Sequence, residues 1–365
     1  MPVRYTSDLA EHRAVREAAG LFDISHMAEF LVAGVPAGAF LDYALAGRLS
    51  ALPVGKAKYS LVLADDGGIV DDVIVYRTGE DRFLVIANAG NRDAVAAAFA
   101  ERAGRAPVAA AFLEAPATGV VSFAHVDGGD RARIEDVTDQ LALIAVQGPA
   151  AEQILGETAG LAASGLPDLG YYAWREGTFD RAPVLVARTG YTGEDGFELM
   201  IPNAQAEALW DALLAAGRPR GLVPAGLAAR DTLRLEAGMP LYGHELSREI
   251  APAQAGLGRV VAMAKDDFVG KAGLTARDLP DAPMLVGLSA EGRRAGRAGY
   301  PVLGPDGAPV GEITSGALSP TLGHPIAMAF VPPALAAPGT ALAIDVRGTA
   351  VPATVTSLPF YRRTK

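Results

Sequence analysis

The sequence places two adjacent carboxylates in a segment that otherwise has the character of a buried strand. In GGIVDDVIVYR, residues 67–77, Asp71 and Asp72 are followed by three β-branched residues. Because successive side chains of a strand point to opposite faces, one acid can face solvent while the other faces the interior or a cleft. An unpaired buried charge is costly, so solvation at the hairpin edge is one interpretation. The alternative is a carboxylate that lines a cavity and binds or polarises a substrate amine.

A second group of polar residues lies in RTGYTGEDGFE, residues 188–198. Gly193 and Gly196 predict a tight turn that leads into a strand. On that strand Phe197 faces one side and Glu198 the other. The segment is rich in aromatic and hydrogen-bonding groups, and a site or an ordinary surface loop with acidic residues both fit this pattern.

The helix GLAARDTLRLEAG carries Arg230 and Arg234 on one face, four residues apart. Like charges at this spacing weaken an isolated helix, so an acid or an anionic ligand is expected nearby. Asp231 and Glu236 are alternative partners on the surface.

Several other site chemistries have weak support. The chain has 42 acidic and 32 basic residues, and a net charge of −10 does not suit a general nucleic-acid binder. It has no cysteine, which excludes thiolate chemistry and fits a reducing compartment. Metal ligation is not expected, because the five histidines show no helical pairing: His12, His26, His125, His244 and His324. Glycine fingerprints for nucleotides are incomplete, and a nucleophile elbow is missing.

The start of the sequence predicts neither a signal peptide nor a transit peptide, because acidic residues interrupt it and no long apolar run follows. No window approaches the roughly 18 to 20 apolar residues that a membrane helix needs. We therefore expect a soluble cytoplasmic protein with no membrane partner.

The elements that must position these residues form an α+β pattern. Helices are predicted over 11–19, with Gly20 as C-cap, and over 36–45, 92–102, 150–155, 204–216 and 226–237. Strands are predicted over 26–33, 58–64, 69–77, 81–89, 142–149, 184–189 and after the turn at 191–196. The chain from 283 to 355 alternates short β-type segments with Gly and Pro turns, which favours a small barrel or sandwich.

Taken together, these segments resemble the aminomethyltransferase, or T-protein, family of the glycine cleavage system. The matching segments follow the family order from about residue 12 to 330: HRAVREAAGLFDISHM, GKAKYSLVLADDGGIVDDVIVYR, LALIAVQGP, RTGYTGEDGFE, GLAARDTLRLEAGMPLYGHEL, DFVGK and ITSGALSPTLGHPIAMAFV. The segments RDTLRLEAGMPLYG and GYTGEDG are the most specific.

The resemblance implies an α+β fold of three domains, arranged as a cloverleaf around a tetrahydrofolate site. Residues 1–32 with 142–274 would form the first, folate-binding domain, residues 33–141 an inserted second domain, and residues 275–365 an antiparallel β-barrel. It also implies transfer of the methylene of an aminomethyl group from the dihydrolipoyl arm of the H-protein to tetrahydrofolate. The products would be 5,10-methylenetetrahydrofolate and ammonia, and the enzyme would be a monomer without a metal.

The resemblance assigns roles to individual positions. The first acid of the pair, Asp71, is expected to act at the folate nitrogens, with Asp72 in reserve. The remaining expected folate-binding residues are Glu198, Arg230, Tyr191, Tyr171, Tyr172, Asn88 and Glu194. Aromatic faces together with one acid and one base suit a flat pterin with a donor–acceptor edge.

The sequence departs from the family at both ends. Family members usually begin earlier, with a motif like MVDFAGW, so this chain has a late start codon or a trimmed N-terminus, which bears on H-protein docking. The C-terminal LPFYRRTK matches poorly, and Tyr361 is left unassigned.

Other proteins share this folate-binding fold. The alternatives are a folate-dependent demethylase of a small sulfonium or methylamine and a non-enzymatic folate-binding protein. The latter would lack the paired acids and the RDTLRLEAG helix. The folate domains of sarcosine and dimethylglycine dehydrogenases are not favoured, because this sequence has no attached flavin domain.

Overall fold

The computed structural model describes residues 1–113, 129–277 and 279–363. The helices are α1 (Asp8–Glu17), α2 (Ala37–Ala44), α3 (Arg92–Arg105), α4 (Ala151–Glu157), α5 (Ala206–Gly217), α6 (Leu227–Glu236) and α7 (Lys271–Ala276). The strands of the first half are β1 (Ala19–Asp23), β2 (Ala28–Ala33), β3 (Ala57–Leu63), β4 (Ile69–Gly79), β5 (Arg82–Ala87), β6 (Ala110–Leu113), β7 (Ala132–Asp136), β8 (Leu141–Gln147), β9 (Leu161–Ala162) and β10 (Trp174–Phe179). Those of the second half are β11 (Ala182–Ala187), β12 (Gly196–Pro202), β13 (Leu222–Pro224), β14 (Met284–Ala290), β15 (Pro301–Leu303), β16 (Pro309–Leu318), β17 (Pro325–Val331), β18 (Ala341–Asp345) and β19 (Ala350–Thr356).

The first sheet has seven strands in the order β13-β1-β8-β12-β11-β10-β9. Helix α1 precedes it, and the side chain of Ser7 caps the helix by accepting from the backbone N–H of Ala10. Gly20 was expected to cap this helix, but that prediction is wrong, because Gly20 lies in β1 and pairs with Gln147 and Val223. A Cβ at Gly20 would lie 2.5 Å from Val15 Cγ2, so glycine allows α1 to pack closely on β1.

The second sheet has six strands in the order β3-β4-β5-β2-β7-β6. The predicted hairpin of β3 and β4 is confirmed, and its turn contains Gly67 at φ +86°. A Cβ at Gly68 would lie 1.8 Å from the carbonyl oxygen of Arg248, so only glycine fits there. Strand β2 lies wholly in this sheet, whereas the sequence division assigned residues up to 32 to the first domain. The three proposed domain boundaries stay predictions.

The C-terminal strands close into a six-stranded antiparallel barrel in the order β14-β17-β16-β15-β18-β19. The predicted β-barrel and the α+β class are therefore confirmed. Alternate side chains of these strands fill the barrel, as expected for a small closed sheet.

Three clusters of buried apolar side chains hold the two sheets and their helices together. Helices α4 and α5 cover the outer face of the seven-stranded sheet, and α2 and α3 cover the outer face of the six-stranded sheet. The inner faces of both sheets share a third core with helix α6, to which Phe22, Tyr76, Met200 and Leu233 contribute. A cavity lined by both apolar and polar side chains opens within this shared core.

Within the described residues, no helix is long and apolar enough to cross a membrane. His125, one of the five histidines considered as ligands, lies outside the described residues.

Candidate functional site

The cavity between the two sheets has a volume of about 380 Å³. Its polar lining residues are His26, Tyr59, Asp72, Tyr76, Asn88, Tyr172, Tyr191, Glu198, Arg230, Asp231, Arg234 and Tyr242. Apolar side chains complete it, among them Ile24, Met27, Ile74, Ile86, Leu143, Leu227, Met239, Leu241 and Leu257. This volume and mixed lining are typical of small-molecule sites.

Strand β4 places the two acids on opposite faces, as its alternation predicts. Asp72 lines the cavity together with Ile74 and Tyr76, which follow at intervals of two. Asp71 is not on the cavity wall and is fully buried on the side of the sheet that carries α2 and α3. Asp71 was expected to act at the folate, with Asp72 as the second choice; the geometry favours the reverse order, because only Asp72 lines the cavity.

One amide group connects the two acids. The side-chain nitrogen of Asn88 donates to Asp71 Oδ1 at 2.8 Å and to Asp72 Oδ1 at 2.7 Å. The hydroxyl of Tyr59 donates to Asp72 Oδ2 at 3.1 Å. Asn88 follows the end of β5 and Tyr59 lies on β3, so the strands on both sides of β4 fix the acid on the cavity wall.

Burial raises the pKa of both acids. For Asp71 the charge of Asp72 adds to this effect, and the hydrogen bonds from Asn88 and Asn91 oppose it, which leaves its pKa at about 7. Burial also raises the pKa of Asp72, against the hydrogen bonds from Tyr59 and Asn88. The pair therefore retains a proton to higher pH than exposed aspartates do.

Glu198 faces the same cavity from β12. Its Oε2 accepts hydrogen bonds from Thr189 Oγ1 at 2.5 Å and from the Tyr76 hydroxyl at 3.3 Å. These contacts fix one carboxylate oxygen to both sheets, because Tyr76 lies on β4.

The loop before β12 positions Tyr191. Gln147 holds this loop by donating to Thr189 O at 3.0 Å and accepting from Thr192 Oγ1 at 2.9 Å. A Cβ at Gly190 would lie 2.0 Å from Gln147 Oε1, so glycine is required for this contact. The Tyr191 hydroxyl donates to Pro240 O at 2.5 Å, which joins the loop to the opposite cavity wall.

The two arginines of α6 have different surroundings. The guanidinium of Arg230 lies 4.9 Å from the Tyr191 ring centroid, and no carboxylate among the described residues pairs with it. Arg234 is buried and pairs with Glu245 at 3.0 Å and with Asp231 at 2.7 Å. Of the two acids expected as partners, Asp231 therefore pairs with Arg234, whereas Glu236 pairs with Arg16. Arg230 is left available to a ligand.

Two residues assigned to folate binding do not line the cavity. Tyr171 is 54% exposed and packs edge-to-face on Tyr172, which does line it. Glu194 pairs with Arg16 at 3.0 Å, away from the cavity wall. Their folate-binding roles stay predictions, and the geometry does not favour them, because neither side chain lines the cavity.

Sequence reasoning did not select Tyr59, Tyr76 and Tyr242 as cavity residues. Tyr76 follows Asp72 by four residues on one strand, so the period of two could have identified it. His26 also lines the cavity, and burial together with the charge of Arg230 lowers its pKa. Tyr242 lies on an irregular segment that gives no comparable signal.

Across the described part of the chain, no group of three or more His, Asp and Glu residues is arranged to hold a metal ion. The expectation of a metal-free reaction stays a prediction.

The geometry can be compared with known proteins. The family model described as the GCVT N-terminal domain matches residues 1–265, and the glycine cleavage T-protein C-terminal barrel domain matches residues 284–362. Aminomethyltransferases from Cutibacterium acnes and Saccharopolyspora erythraea are 52% and 53% identical, over 100% of this chain and 92% of each relative. The crystal structure of glycine cleavage system aminomethyltransferase T from Bartonella henselae is 34% identical, with a TM-score of 0.84 over 100% of this chain and 93% of that one.

Proposed function

The chain belongs to the glycine cleavage T-protein family of aminomethyltransferases, and from this we propose the reaction and the residues that carry it out. The protein transfers the methylene of an aminomethyl group, carried on the dihydrolipoyl arm of H-protein, to tetrahydrofolate. The products are 5,10-methylenetetrahydrofolate, ammonia and the free dihydrolipoyl arm. Tetrahydrofolate is a substrate here, and the proposal invokes no metal.

The observation that carries the proposal is the polar wall of the cavity. Glu198 supplies a fixed acceptor and Arg230 a donor without an ion-pair partner among the described residues, which suits the amino and carbonyl edge of a pterin. The rings of Tyr172 and Tyr191 supply flat apolar surface beside that edge. Asp72 lies on the same wall, where a reactive ring nitrogen would be within its reach.

The chemistry needs proton transfer and no change of oxidation state. The carbon–sulfur bond of the arm and the carbon–nitrogen bond of the aminomethyl group break, and two carbon–nitrogen bonds to the folate form. The folate nitrogens lose two protons, of which one goes to the sulfur and one to the departing ammonia. We assign to Asp72 the exchange of one of these protons, and to the cavity the positioning of the reactants.

We further propose that the protein acts as a cytoplasmic monomer without nucleic-acid or membrane partners. The net charge of −10 supports the absence of a nucleic-acid partner.

A turnover assay tests the proposed function. The purified chain is mixed with tetrahydrofolate and aminomethyl-loaded H-protein, and ammonia and methylenetetrahydrofolate are followed together. We expect both products in equal amounts, and neither without tetrahydrofolate. A chain that binds tetrahydrofolate but yields neither product, and instead demethylates a small sulfonium, would contradict the proposal in favour of the demethylase.

A further inference from the structure

The proposed chemistry uses Asp72 and leaves its neighbour Asp71 without a role. Asp71 is fully buried on the far side of the strand from the cavity, where it cannot touch a ligand bound there. A buried carboxyl group is costly to maintain, so its environment should indicate what it does. The inference below rests on the proposed function of Asp72.

All the hydrogen bonds that Asp71 receives come from N–H donors. The backbone N–H of Asn88 donates to Oδ2 at 3.0 Å, the Asn88 amide to Oδ1 at 2.8 Å and the Asn91 amide to Oδ1 at 2.6 Å. Such donors favour the charged carboxylate. A proton on Asp71 would have no acceptor among the described hydrogen-bonding partners.

Asp72 has a different set of partners. Besides the Asn88 amide, it contacts the hydroxyl of Tyr59, and a hydroxyl can either donate or accept a hydrogen bond. A protonated Asp72 therefore keeps a hydrogen bond to Tyr59 by reversing its direction. Of the two acids, Asp72 is the one that can hold a proton without losing a partner.

Among the described residues, the titratable groups that interact most directly with the pair are phenols. Tyr59 from β3 and Tyr172 and Tyr191 from the loops face Asp72. Tyr242, which is hydrogen-bonded to Arg248, faces Asp71. Burial raises the pKa of each phenol, so they stay neutral near pH 7. Burial is also the largest cause of the raised pKa of both acids, and the like charge of the neighbouring acid adds to it for Asp71.

We propose that Asp71 is a positioning residue that holds the negative charge of the pair and thereby keeps Asp72 able to carry the proton moved during methylene transfer. It acts in two ways. It anchors Asn88 through two hydrogen bonds, and Asn88 in turn fixes Asp72. Its negative charge, on the adjacent residue, also opposes ionisation of Asp72 by like-charge repulsion and so favours the protonated form that acid–base catalysis needs.

The variant Asp71→Asn tests this role by the pH dependence of turnover. Removing the charge makes Asp72 more acidic, so the limb of the kcat profile that reports its ionisation should move to lower pH by about one unit. The KM for tetrahydrofolate should change by less than about threefold, because Asp71 does not line the cavity. Asn91→Ala, which removes one donor from Asp71 and does not touch Asp72, should move the same limb in the same direction by less.

A merely structural role gives a different result. It would lower kcat or thermal stability in Asp71→Asn while leaving the pH profile in place, and that outcome overturns the proposal. Asp93→Asn, which changes an exposed carboxyl two residues from Asn91, is the matched control and should leave the profile unchanged.

An infrared titration separates this inference from the proposed function. The carboxyl C=O stretch of the pair is followed against pH in the free protein, without any turnover. A protonated carboxyl that disappears in Asp72→Asn and persists in Asp71→Asn with its titration moved to lower pH supports the proposal, even if the transfer assay fails. A band that disappears only in Asp71→Asn places the proton on the other acid and overturns it.

Discussion

The guanidinium of Arg230 lies 4.9 Å from the centroid of the Tyr191 ring, and both residues face the central cavity. The ring is fixed by the hydrogen bond from its hydroxyl to Pro240 O, so the cation is held by a rigid aromatic face rather than by a carboxylate. Burial lowers the pKa of Arg230, which shows the cost of this arrangement. A ligand acceptor that reaches this guanidinium would gain a charge-assisted hydrogen bond.

We therefore expect Arg230→Met to weaken tetrahydrofolate binding by about tenfold to a hundredfold, the loss of one hydrogen bond to a charged group. Isothermal titration calorimetry gives the Kd directly. Arg13→Met, at a side chain that is 62% exposed, is the control and should bind as the wild type does. An unchanged Kd for Arg230→Met would remove Arg230 from the folate site.

Tyr59→Phe should lower kcat by about tenfold, because one hydrogen bond to Asp72 is lost. That bond favours the charged carboxylate, so its loss raises the pKa of Asp72, and the corresponding limb of the pH profile should move to higher pH. This shift is opposite in sign to the one expected for Asp71→Asn. Tyr171→Phe, at an exposed phenol, should change neither quantity; a shift to lower pH for Tyr59→Phe would contradict the assignment.

The carboxyl of Glu29 is fully buried, and neither of its oxygens has a hydrogen-bond partner in the described structure. Burial raises its pKa from 4.5 to about 9. Between pH 4.5 and about 9, Glu29 is ionised in the unfolded chain but protonated in the folded protein. The free energy of unfolding therefore falls as the pH rises through this range.

Glu29→Gln should remove that dependence. At pH 7 the variant should be more stable by up to about 3 kcal/mol, and the difference should grow from pH 5 to pH 9. Urea unfolding at a series of pH values measures it, with Glu80→Gln, whose side chain is 90% exposed, as the control. A stability difference that does not vary with pH would show that Glu29 is ionised in the folded protein.

Glu236 has the opposite effect on the pH dependence of folding stability. Burial alone would raise its pKa, but hydrogen bonds from His12, Ser319 and Arg16 and the charge of His12 outweigh burial and lower it from 4.5 to about 2. Its contribution to stability is therefore present above pH 4.5 and is lost as pH falls toward 2.

Glu236→Gln should destabilise the protein by about 3 kcal/mol at pH 7, and this difference should close as the pH falls from 4.5 toward 2. Glu17→Gln breaks an exposed ion pair with Arg13 and should cost less than about 0.5 kcal/mol at any pH. Equal effects of the two substitutions would show that the buried network around Glu236 contributes little.

The local sequence could predict the strand that carries the acids and their opposite orientations, because alternation is a property of the backbone. It could not decide which of Asp71 and Asp72 faces the cavity. The answer depends on which face of the six-stranded sheet packs against α2 and α3 and which face packs against the other sheet. The alternation within one strand does not contain this information. The same limit applies to Tyr171 and Tyr172.

Contacts between distant segments explain the other differences. Glu194 was expected in the site, but Arg16 of α1 pairs with it, and the two residues are 178 positions apart. Gly20 was expected to end a helix, but strand pairing with β8 and β13 takes precedence over the local capping signal. Residues with strong local signals, such as Glu198 on β12 and Arg230 on α6, do line the cavity, and their folate-binding roles stay predictions.

The central claim is that Asp72, on the cavity wall, is the acid that acts in the transfer reaction. The most direct measurement is kcat for Asp72→Asn with tetrahydrofolate and aminomethyl-loaded H-protein, beside wild type, Asp71→Asn and the control Asp93→Asn. We predict a loss of at least about a hundredfold for Asp72→Asn, with tetrahydrofolate binding retained, while Asp71→Asn stays active with a shifted pH profile. Near wild-type turnover by Asp72→Asn together with a silent Asp71→Asn would contradict this account and make Asp71 the reacting acid.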